Sequence, residues 1–469
     1  MESSSSLGRS SWRPSQSTLA VLPLLFILFA ETVVAYTIYP FIAKFIGNLD
    51  VVHGDKENVG YYLGILEFVP NVISAIVVLQ WGRFGDRHGR KPVLLINMGG
   101  LAIAIVCLGL SKTFTALVLS KAIEGFFKAS RPTVKAAVAE SSDESRMAFV
   151  FSLLPIMHTG GAVIGPLIGG TLADPAERFP SLFRSSFWTK FPYLLPTLIS
   201  GMLCVCSLCV AAIFFKETLP SVGDHSQPFI VTAKDGDDIA PLLGHAHEES
   251  QDRAAEFAHP ESFSKEELRA FLAVLGNYAI FILLAVSFNA TFALFLASPT
   301  TSGGLSLLPP TAGAIMSLSG GLHATTQACF FTRAHRRWGL RKIYRCAAVA
   351  FIPTYAAIPI MGMIAKRAGR ATPLVWAVLV LQQIACSVSV AGFTCMFIFI
   401  AKTTPSPKML GRTTGLAQMV HSSMSAIGPA AFTSLTALSI RHNLFGGTLA
   451  QLIQASLGFL AVGLSFSLP

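Results

Sequence analysis

The chain of 469 residues is 52% hydrophobic and only 13% charged, and its formal net charge is +10. An average soluble protein has about 25% charged residues, so a soluble globule of this composition would expose large apolar surfaces to water. The positive charge lies in short loops between apolar runs rather than on one soluble face, which argues against a nucleic-acid partner and favours the charge bias of membrane loops.

Apolar runs of about 20 residues, the length needed to cross the hydrocarbon core, recur along the chain. Bounded by charges, Gly or Pro, they predict an all-α polytopic membrane protein with twelve transmembrane helices in two six-helix halves. The first six helices are expected near 18–43, 58–81, 92–111, 114–138, 147–172 and 192–215. The second six are expected near 271–297, 307–331, 343–365, 373–401, 412–438 and 444–467.

The predicted domains are an N-terminal tail (1–17), a first half (18–220), a linker (221–270) and a second half (271–469). The linker holds eleven acidic residues against four basic ones and has no sustained apolar period, so it is expected to be disordered and cytosolic. Near its end, Ser264 and Glu267 have the spacing of a capping box, which predicts a helix start.

The distribution of Lys and Arg among the short loops predicts that both termini lie in the cytosol, although the bias is moderate. The first helix is expected to act as an uncleaved signal anchor, because the preceding tail lacks a compact apolar core with a cleavage site. The plasma membrane is the expected location. An acidic dileucine pattern at 238–243 leaves a vacuolar or other endomembrane open.

Two acidic residues lie well inside the first two predicted helices, Glu31 and Glu67. A charge at the bilayer centre costs about 2.5 kcal/mol or more, so acids in such positions usually face a cavity and take part in function. Both are therefore candidates for proton coupling. The alternative is a protonated or hydrogen-bonded structural glutamate at either position.

A strongly basic, Gly-punctuated stretch, Gly82 to Lys91, is predicted as a tight loop between helices 2 and 3. It resembles the loop signature of the major facilitator superfamily, G-x-x-x-D-R-x-G-R-K. The resemblance implies the major facilitator fold and a cytosolic charge network that stabilises one transport state. The implied gating residues are Gly82, Gly85, Asp86, Arg87, Gly89, Arg90 and Lys91, with Glu140, Asp143 or Glu144 as partners. A degenerate copy at 336–342 indicates that the two halves are related.

Helix 4 contains Lys121, Glu124 and Gly125, similar to the R-x-x-q-G element of proton-coupled members of the superfamily. Lysine replaces the arginine and glutamate replaces the glutamine, and a buried lysine can lose its proton whereas arginine stays charged. Lys121 and Glu124 are proton-coupling candidates. Because they are three residues apart on one helix face, a structural ion pair is the competing interpretation.

Helix 5 contains a run of small residues with a proline, similar to the antiporter motif of the superfamily, g-x-x-x-G-P-x-x-G-G. Small residues let helices approach closely in lipid, and proline removes one backbone hydrogen bond. The run is predicted to be a hinge that shapes the route between the halves. Its members are Gly161, Gly165, Pro166, Gly169 and Gly170.

Taken together, these motifs resemble the zinc-induced-facilitator-like branch of drug:proton antiporters. The resemblance implies that helices 1, 4, 7 and 10 line the substrate cavity, which makes Tyr36, Phe126, Asn289 and Gln382 cavity candidates. The predicted function is export of a small amphiphilic molecule in exchange for protons by alternating access, with Glu31 carrying the proton.

The proton is expected to be the coupling ion, with no cofactor and no metal site. The lipid bilayer and a small-molecule substrate are the expected partners, and the protein is expected to work as a monomer. An enzyme is not indicated, because the helices show no nucleophile-base arrangement. The alternatives are a uniporter or importer of a small solute or metal ion, and a receptor that transports nothing.

Overall fold

The computed structural model describes residues 16–52, 56–128, 130–141, 144–217, 264–404 and 410–468, which contain no β-strand. In the first half the helices are α1 Gln16–Thr37, α2 Tyr39–Gly47, α3 Val59–His88, α4 Arg90–Leu110, α5 Phe114–Phe127, α6 Ser130–Ser141, α7 Glu144–Leu172, α8 Pro175–Arg178, α9 Ser186–Lys190 and α10 Leu194–Phe214. In the second half they are α11 Lys265–Ala297, α12 Pro309–Thr325, α13 Phe331–Trp338, α14 Leu340–Ala368, α15 Pro373–Lys402, α16 Leu410–Arg441 and α17 Leu449–Leu464.

Ten helical segments in the described part of the chain are long and apolar enough to cross a membrane. They correspond to ten of the twelve predicted helices. The other two, predicted at 114–138 and 307–331, are interrupted in the structure: one is divided into α5 and α6, and in the other a π-helix, Thr326–Phe330, separates α12 from α13. The prediction of a continuous helix was therefore wrong at 114–138 and also at 18–43, where α1 ends at Thr37 and α2 begins at Tyr39. A total of twelve spans depends on counting the helices near 114–138 and 307–331.

The break between α5 and α6 follows from Pro132, which lies in the first turn of α6. A proline has no N–H group, and its ring collides with the carbonyl four residues earlier, which here belongs to Lys128. That carbonyl instead accepts a hydrogen bond from the Ser74 hydroxyl of α3 at 3.3 Å. A helix interrupted at membrane depth leaves backbone groups to be satisfied by neighbours, as Ser74 does here.

The stretch from Gly82 to Lys91, predicted as a loop, is helical except for Gly89, because α3 continues to His88 and α4 begins at Arg90. Gly89 has φ 101° and ψ 161°. Gly339, between α13 and α14, has φ 76° and ψ 165°. Only glycine adopts this backbone region readily. The same turn at corresponding positions agrees with the predicted repeat of the two halves.

The second half begins earlier than the linker boundary predicted at residue 270, because α11 starts at Lys265. The predicted capping box is confirmed: the Ser264 hydroxyl accepts from the Glu267 N–H at 3.2 Å, and the Glu267 carboxylate accepts from the Ser264 N–H at 2.9 Å. The last helix begins at Leu449, five residues later than predicted. Residues 218–263, which hold most of the predicted linker, lie outside the described residues.

Each half has its own hydrophobic core. The helices pair in a repeated pattern, since α4 packs along α10 in the first half and α14 packs along α17 in the second. We call the end of the bundle that carries Gly89 and Gly339 the basic end, and the other end the opposite end. These two ends differ in how the halves meet.

The halves pack closely at the opposite end. Gly60 and Gly64, near the start of α3, lie directly against the backbone of α16. A methyl group on Gly60 would be 2.5 Å from the carbonyl oxygen of Thr433, and one on Gly64 would be 2.9 Å from that of Ala430. Near the basic ends of these two helices, Gly82 and Gly415 have open space at the corresponding atom. The helices α3 and α16 are therefore in close contact at the opposite end and are less crowded toward the basic end.

Candidate functional site

A cluster of buried charged side chains lies in the first half. Glu67 comes from α3, and Lys121 and Glu124 come from α5; their residues are 7%, 3% and 5% exposed. The Lys121 ammonium is 2.7 Å from a carboxylate oxygen of Glu124. Glu67 lies within electrostatic range of both. The cluster thus combines two carboxylates with one ammonium, which contacts Glu124 directly, a composition able to take up a proton.

The packing of α3 against α5 brings these residues to one level. Gly125 lies directly on the backbone of α3 at Pro70, whose Cα would be 2.6 Å from a methyl group on Gly125. Glu67 is about one turn before Pro70, and Lys121 is about one turn before Gly125. Since a side chain larger than hydrogen would separate the helices, Gly125 sets the spacing that places Glu67 beside Lys121.

Tyr39, at the start of α2, connects this charged cluster to the other half of the molecule. Its side chain lies within electrostatic range of the Glu67 carboxylate. The same residue packs against the hydrophobic core of the second half. Tyr39 thus reaches from the Glu67 carboxylate to the surface on which the two halves meet.

Glu31, the sequence-based choice for the proton carrier, lies elsewhere. It is 2% exposed, and its charge acts on the Cys204 thiol of α10. The next residue, Thr32, faces α7, where its hydroxyl is 3.3 Å from Nδ1 of His158. Glu31 therefore lies near Cys204 of α10, inside the first half. The structure brings together Glu67, Lys121 and Glu124, and places Glu31 apart from them.

Two aromatic contacts join His158 of α7 to Tyr39. The ring of His158 lies edge-on to Tyr36, with centroids 6.0 Å apart. Tyr36 in turn lies edge-on to Tyr39, with centroids 5.8 Å apart. Tyr36, a cavity candidate from the sequence, is half-buried. It thus belongs to a line of side chains that runs from α7 to the charged cluster.

The small residues of helix 5 bring α7 into contact with helices of both halves. Gly161 and Gly165 pack on α1, where a methyl group would lie 2.6 Å from Cβ of Thr32 or 2.8 Å from the carbonyl oxygen of Val33. Gly169 packs on the same helix at the carbonyl of Thr37. Gly170 packs on α12, and the carbonyl of Pro166 lies against Gly313 of that helix. The glycines therefore serve close packing within a continuous helix.

The basic motif holds an ion pair, and the carboxylate that caps the following helix comes from outside the motif. Asp86 is exposed and pairs with Arg90 at 2.8 Å. The N-terminus of α4 is instead capped by Glu217, which follows α10 and accepts hydrogen bonds from the backbone N–H groups of Arg90 and Lys91 at 2.7 and 3.0 Å. A methyl group at Gly89 would overlap the Glu217 carboxylate.

The other basic residues of the motif have separate placements. The Lys91 ammonium donates to the carbonyl of Ala212 at 2.7 Å, and the side chain of Arg87 is exposed. Gly85 packs against the Arg90 side chain. The side chains of the proposed partners Glu140, Asp143 and Glu144 lie outside the described residues.

Replacement of Glu217 is expected to lower stability through the end of α4. Glu217→Ala leaves two backbone N–H groups without their carboxylate and should cost about 1 kcal/mol of unfolding free energy, as loss of a helix cap does. Glu217→Gln keeps an acceptor but removes the charge at the positive helix end, and should cost about half as much.

Thermal unfolding of the purified protein in detergent measures both effects. Glu177→Ala, at an exposed glutamate of α8, is the control and should change stability by less than about 0.5 kcal/mol. Equal stability of Glu217→Ala and the unaltered protein would contradict the capping role.

The remaining cavity candidates differ in their surroundings. Phe126 is 44% exposed at the end of α5, where its carbonyl accepts from the Trp81 indole at 2.8 Å. Asn289 is half-buried on α11. Gln382 is 2% exposed, and its side-chain amide donates to the carbonyl of Thr354 at 3.0 Å. Gln382 therefore holds α15 to α14 within the second half.

Three residues that the sequence did not single out prove central: Tyr39, His158 and Glu217. Glu217 had a usable signal, since it is an acid directly after an apolar run. Tyr39 and His158 had none, because a tyrosine near a helix end and one histidine in a Gly-rich helix are common in membrane proteins.

The chain matches the family model of the Major Facilitator Superfamily over residues 21–429. It is 26% identical to the major facilitator-type transporter psiT2 of Psilocybe cyanescens, over 94% of this chain and 88% of that protein. It is 27% identical to the efflux pump azaK of Aspergillus niger, over 92% and 84%. It is also 27% identical to ZINC INDUCED FACILITATOR 1 of Arabidopsis thaliana, over 84% and 79%.

Solved structures show the same fold. The human organic anion transporter MFSD10 superposes with a TM-score of 0.62 at 17% identity, covering 97% of this chain and 100% of that one. A bacterial homologue of the human lysosomal transporter Spinster, in an inward-facing and occupied conformation, gives 0.68 at 14% identity, with 97% of each chain covered. The family match, the helical fold and these relatives together identify the chain as a multi-pass membrane transporter of the Major Facilitator Superfamily, and not an enzyme.

Proposed function

We propose that the protein exports a small amphiphilic molecule in exchange for protons, and that Glu67 carries the proton. The observation that supports this most is the position of Glu67 between a buried Lys121–Glu124 pair and Tyr39, which packs on the second half. An exchanger needs a protonatable group whose charge state bears on the contact between its halves. Among the four candidates from the sequence, Glu67 meets this requirement best.

The mechanism follows from the charge balance of the cluster. With both carboxylates ionised, Lys121 neutralises Glu124, and Glu67 retains a negative charge at high desolvation cost. That charge is stabilised by the Tyr39 hydroxyl and by Lys121. Protonation of Glu67 removes the charge and weakens the interaction with the Tyr39 hydroxyl. The change reaches the contact between the halves through Tyr39 and biases which end of the bundle is open.

Export, rather than import, is favoured by the relatives. Among them are an efflux pump and a multidrug transporter, the latter from Aspergillus fumigatus and 24% identical over 85% of this chain. The proposal includes a plasma-membrane location with the basic end and both termini in the cytosol. The close contact at the opposite end then corresponds to a form that is open toward the cytosol.

Reconstitution into proteoliposomes tests the proposal. Vesicles are loaded with rhodamine 6G or ethidium, and dye release is monitored with and without a pH gradient that drives protons into the vesicles. Pyranine inside the vesicles reports the entry of protons. The gradient is expected to accelerate release several-fold, and dye and protons should move in opposite directions. Release that ignores the gradient, or the absence of dye movement under both conditions, would exclude this antiport.

A further inference from the structure

A polar site in the second half adjoins the contact between α7 and α12. Within the described part of the chain, Nε2 of His323 and Oε1 of Gln327 are buried and have no hydrogen-bond partner. Buried polar atoms in native proteins nearly always have a partner, and those that lack one call for an explanation such as a bound ligand. The two residues lie four apart, so their side chains project to the same side of the chain.

The local backbone supports a functional role for this place. His323 lies in the last turn of α12, and Gln327 lies in the π-helix Thr326–Phe330. Single turns of π-helix inside α-helices are rare and are frequently found at functional sites. The amide nitrogen of Gln327 donates to the Thr394 hydroxyl of α15, which orients the side chain and leaves its oxygen as the group without a partner.

The packing of α12 against α7 places the site at the junction of the halves. A methyl group on Gly313 would meet Gly170, with its Cα 2.8 Å away, and one on Gly320 would meet the Ala162 carbonyl at 3.0 Å. The helices run antiparallel with this register, so the next turn toward the basic end sets residue 158 of α7 opposite residue 323 or 324 of α12. His158 therefore lies at about the same level of the bundle as His323, with its own ring against Tyr36 of α1.

The chemistry of the surroundings limits what binds there. Residues 309–330 contain no Asp, Glu, Lys or Arg, and α15 carries only Lys402, at its end. A ligand charge buried here would meet no opposite charge from residues 309–330 or from α15 before Lys402, and its burial would be costly. An imidazole nitrogen and an amide oxygen instead match a neutral group that both donates and accepts, such as a hydroxyl.

We infer that His323 and Gln327 form a binding site for a neutral hydroxyl group of the transported molecule, at the junction of the two halves. The inference rests on the proposed transport function and deepens it by naming a substrate feature. Because α7 packs on α12 at Gly320, about one turn before His323, binding there depends on how α7 and α12 are placed.

Binding of a matched pair of amphiphilic cations tests the inference. The probes are tetraphenylphosphonium and (4-hydroxyphenyl)triphenylphosphonium, which differ by one hydroxyl, and equilibrium dialysis against the purified full-length protein at constant pH gives their affinities. The hydroxylated probe is expected to bind about tenfold more tightly, as one hydrogen bond to two otherwise unpaired groups allows. Gln327→Leu and His323→Phe should each bring the ratio toward one, with the affinity for tetraphenylphosphonium unchanged.

Gln383→Met is the matched control, because Gln383 is also a buried amide of this half but already accepts from the Ser319 hydroxyl at 2.7 Å. It should keep the tenfold ratio. A ratio near one in the unaltered protein, as expected if these groups bind only water, overturns the inference. So does a ratio that survives both Gln327→Leu and His323→Phe. The assay involves no proton movement, so its failure and the failure of proton coupling are separate results.

Discussion

Replacing Glu67 with glutamine is expected to abolish the acceleration of dye release by a pH gradient. Glutamine keeps the size of the side chain and an oxygen that can accept from the Tyr39 hydroxyl, but it cannot release a proton. Release from proteoliposomes under the gradient should fall to the rate seen without one, and the pyranine signal that accompanies dye movement should vanish. Exchange of labelled for unlabelled dye, which needs no net proton movement, should continue.

Glu31→Gln is the matched control for this prediction. It makes the same chemical change at another buried glutamate of the first half, but at a position near Cys204 of α10. It should retain the response to the gradient. If Glu31→Gln abolished the response and Glu67→Gln kept it, the proton carrier would be the residue first suggested by the sequence, and the role assigned to Glu67 would be wrong.

The second large effect is expected at the buried pair beside Glu67. Glu124→Gln leaves the Lys121 ammonium buried without its closest carboxylate, and breaking a buried ion pair in this way costs about 3 to 5 kcal/mol. The presence of Glu67 nearby should keep the loss at the lower end of that range. Denaturation of the purified protein in detergent measures the loss.

The double variant Lys121→Met with Glu124→Gln separates a structural role from a functional one. Removing both charges should restore most of the stability, because neutral side chains of similar size replace a buried pair at little cost. If Lys121 tunes Glu67, the restored protein should still show an altered pH dependence of dye release. Equal instability of the single and double variants would contradict the pairing.

Much of the fold followed from the sequence because hydrophobic length is a strong physical signal in membranes. Ten predicted helices correspond to spans of the structure, and the capping box before α11 formed as expected. The breaks in helices 4 and 8 were harder to foresee. Many membrane helices contain a proline without a break. The effect of Pro132 depends on Ser74 of another helix, whose hydroxyl donates to the Lys128 carbonyl.

The charged residues of the candidate site were predicted, but their arrangement and the part played by Tyr39 were not. Intramembrane acids are visible in one dimension, so Glu31 and Glu67 stood out equally. Their difference arises from the directions in which two helices face, since Glu67 meets α5 through the contact of Gly125 with Pro70. Tyr39 gained importance only because α2 carries it to the second half. Such contacts depend on packing between distant segments.

The two glycine turns at the basic end also bear on how duplicated halves diverge. Gly89 is held by its backbone conformation and by the Glu217 carboxylate, whereas Gly339 has the same backbone conformation with open space where a side chain would begin. The charged residues around the second turn are thus released from the constraint that acts on the first. Side chains around the second turn can therefore vary with less consequence for packing than those around the first, and the feature that the two turns share is the backbone conformation of their glycine.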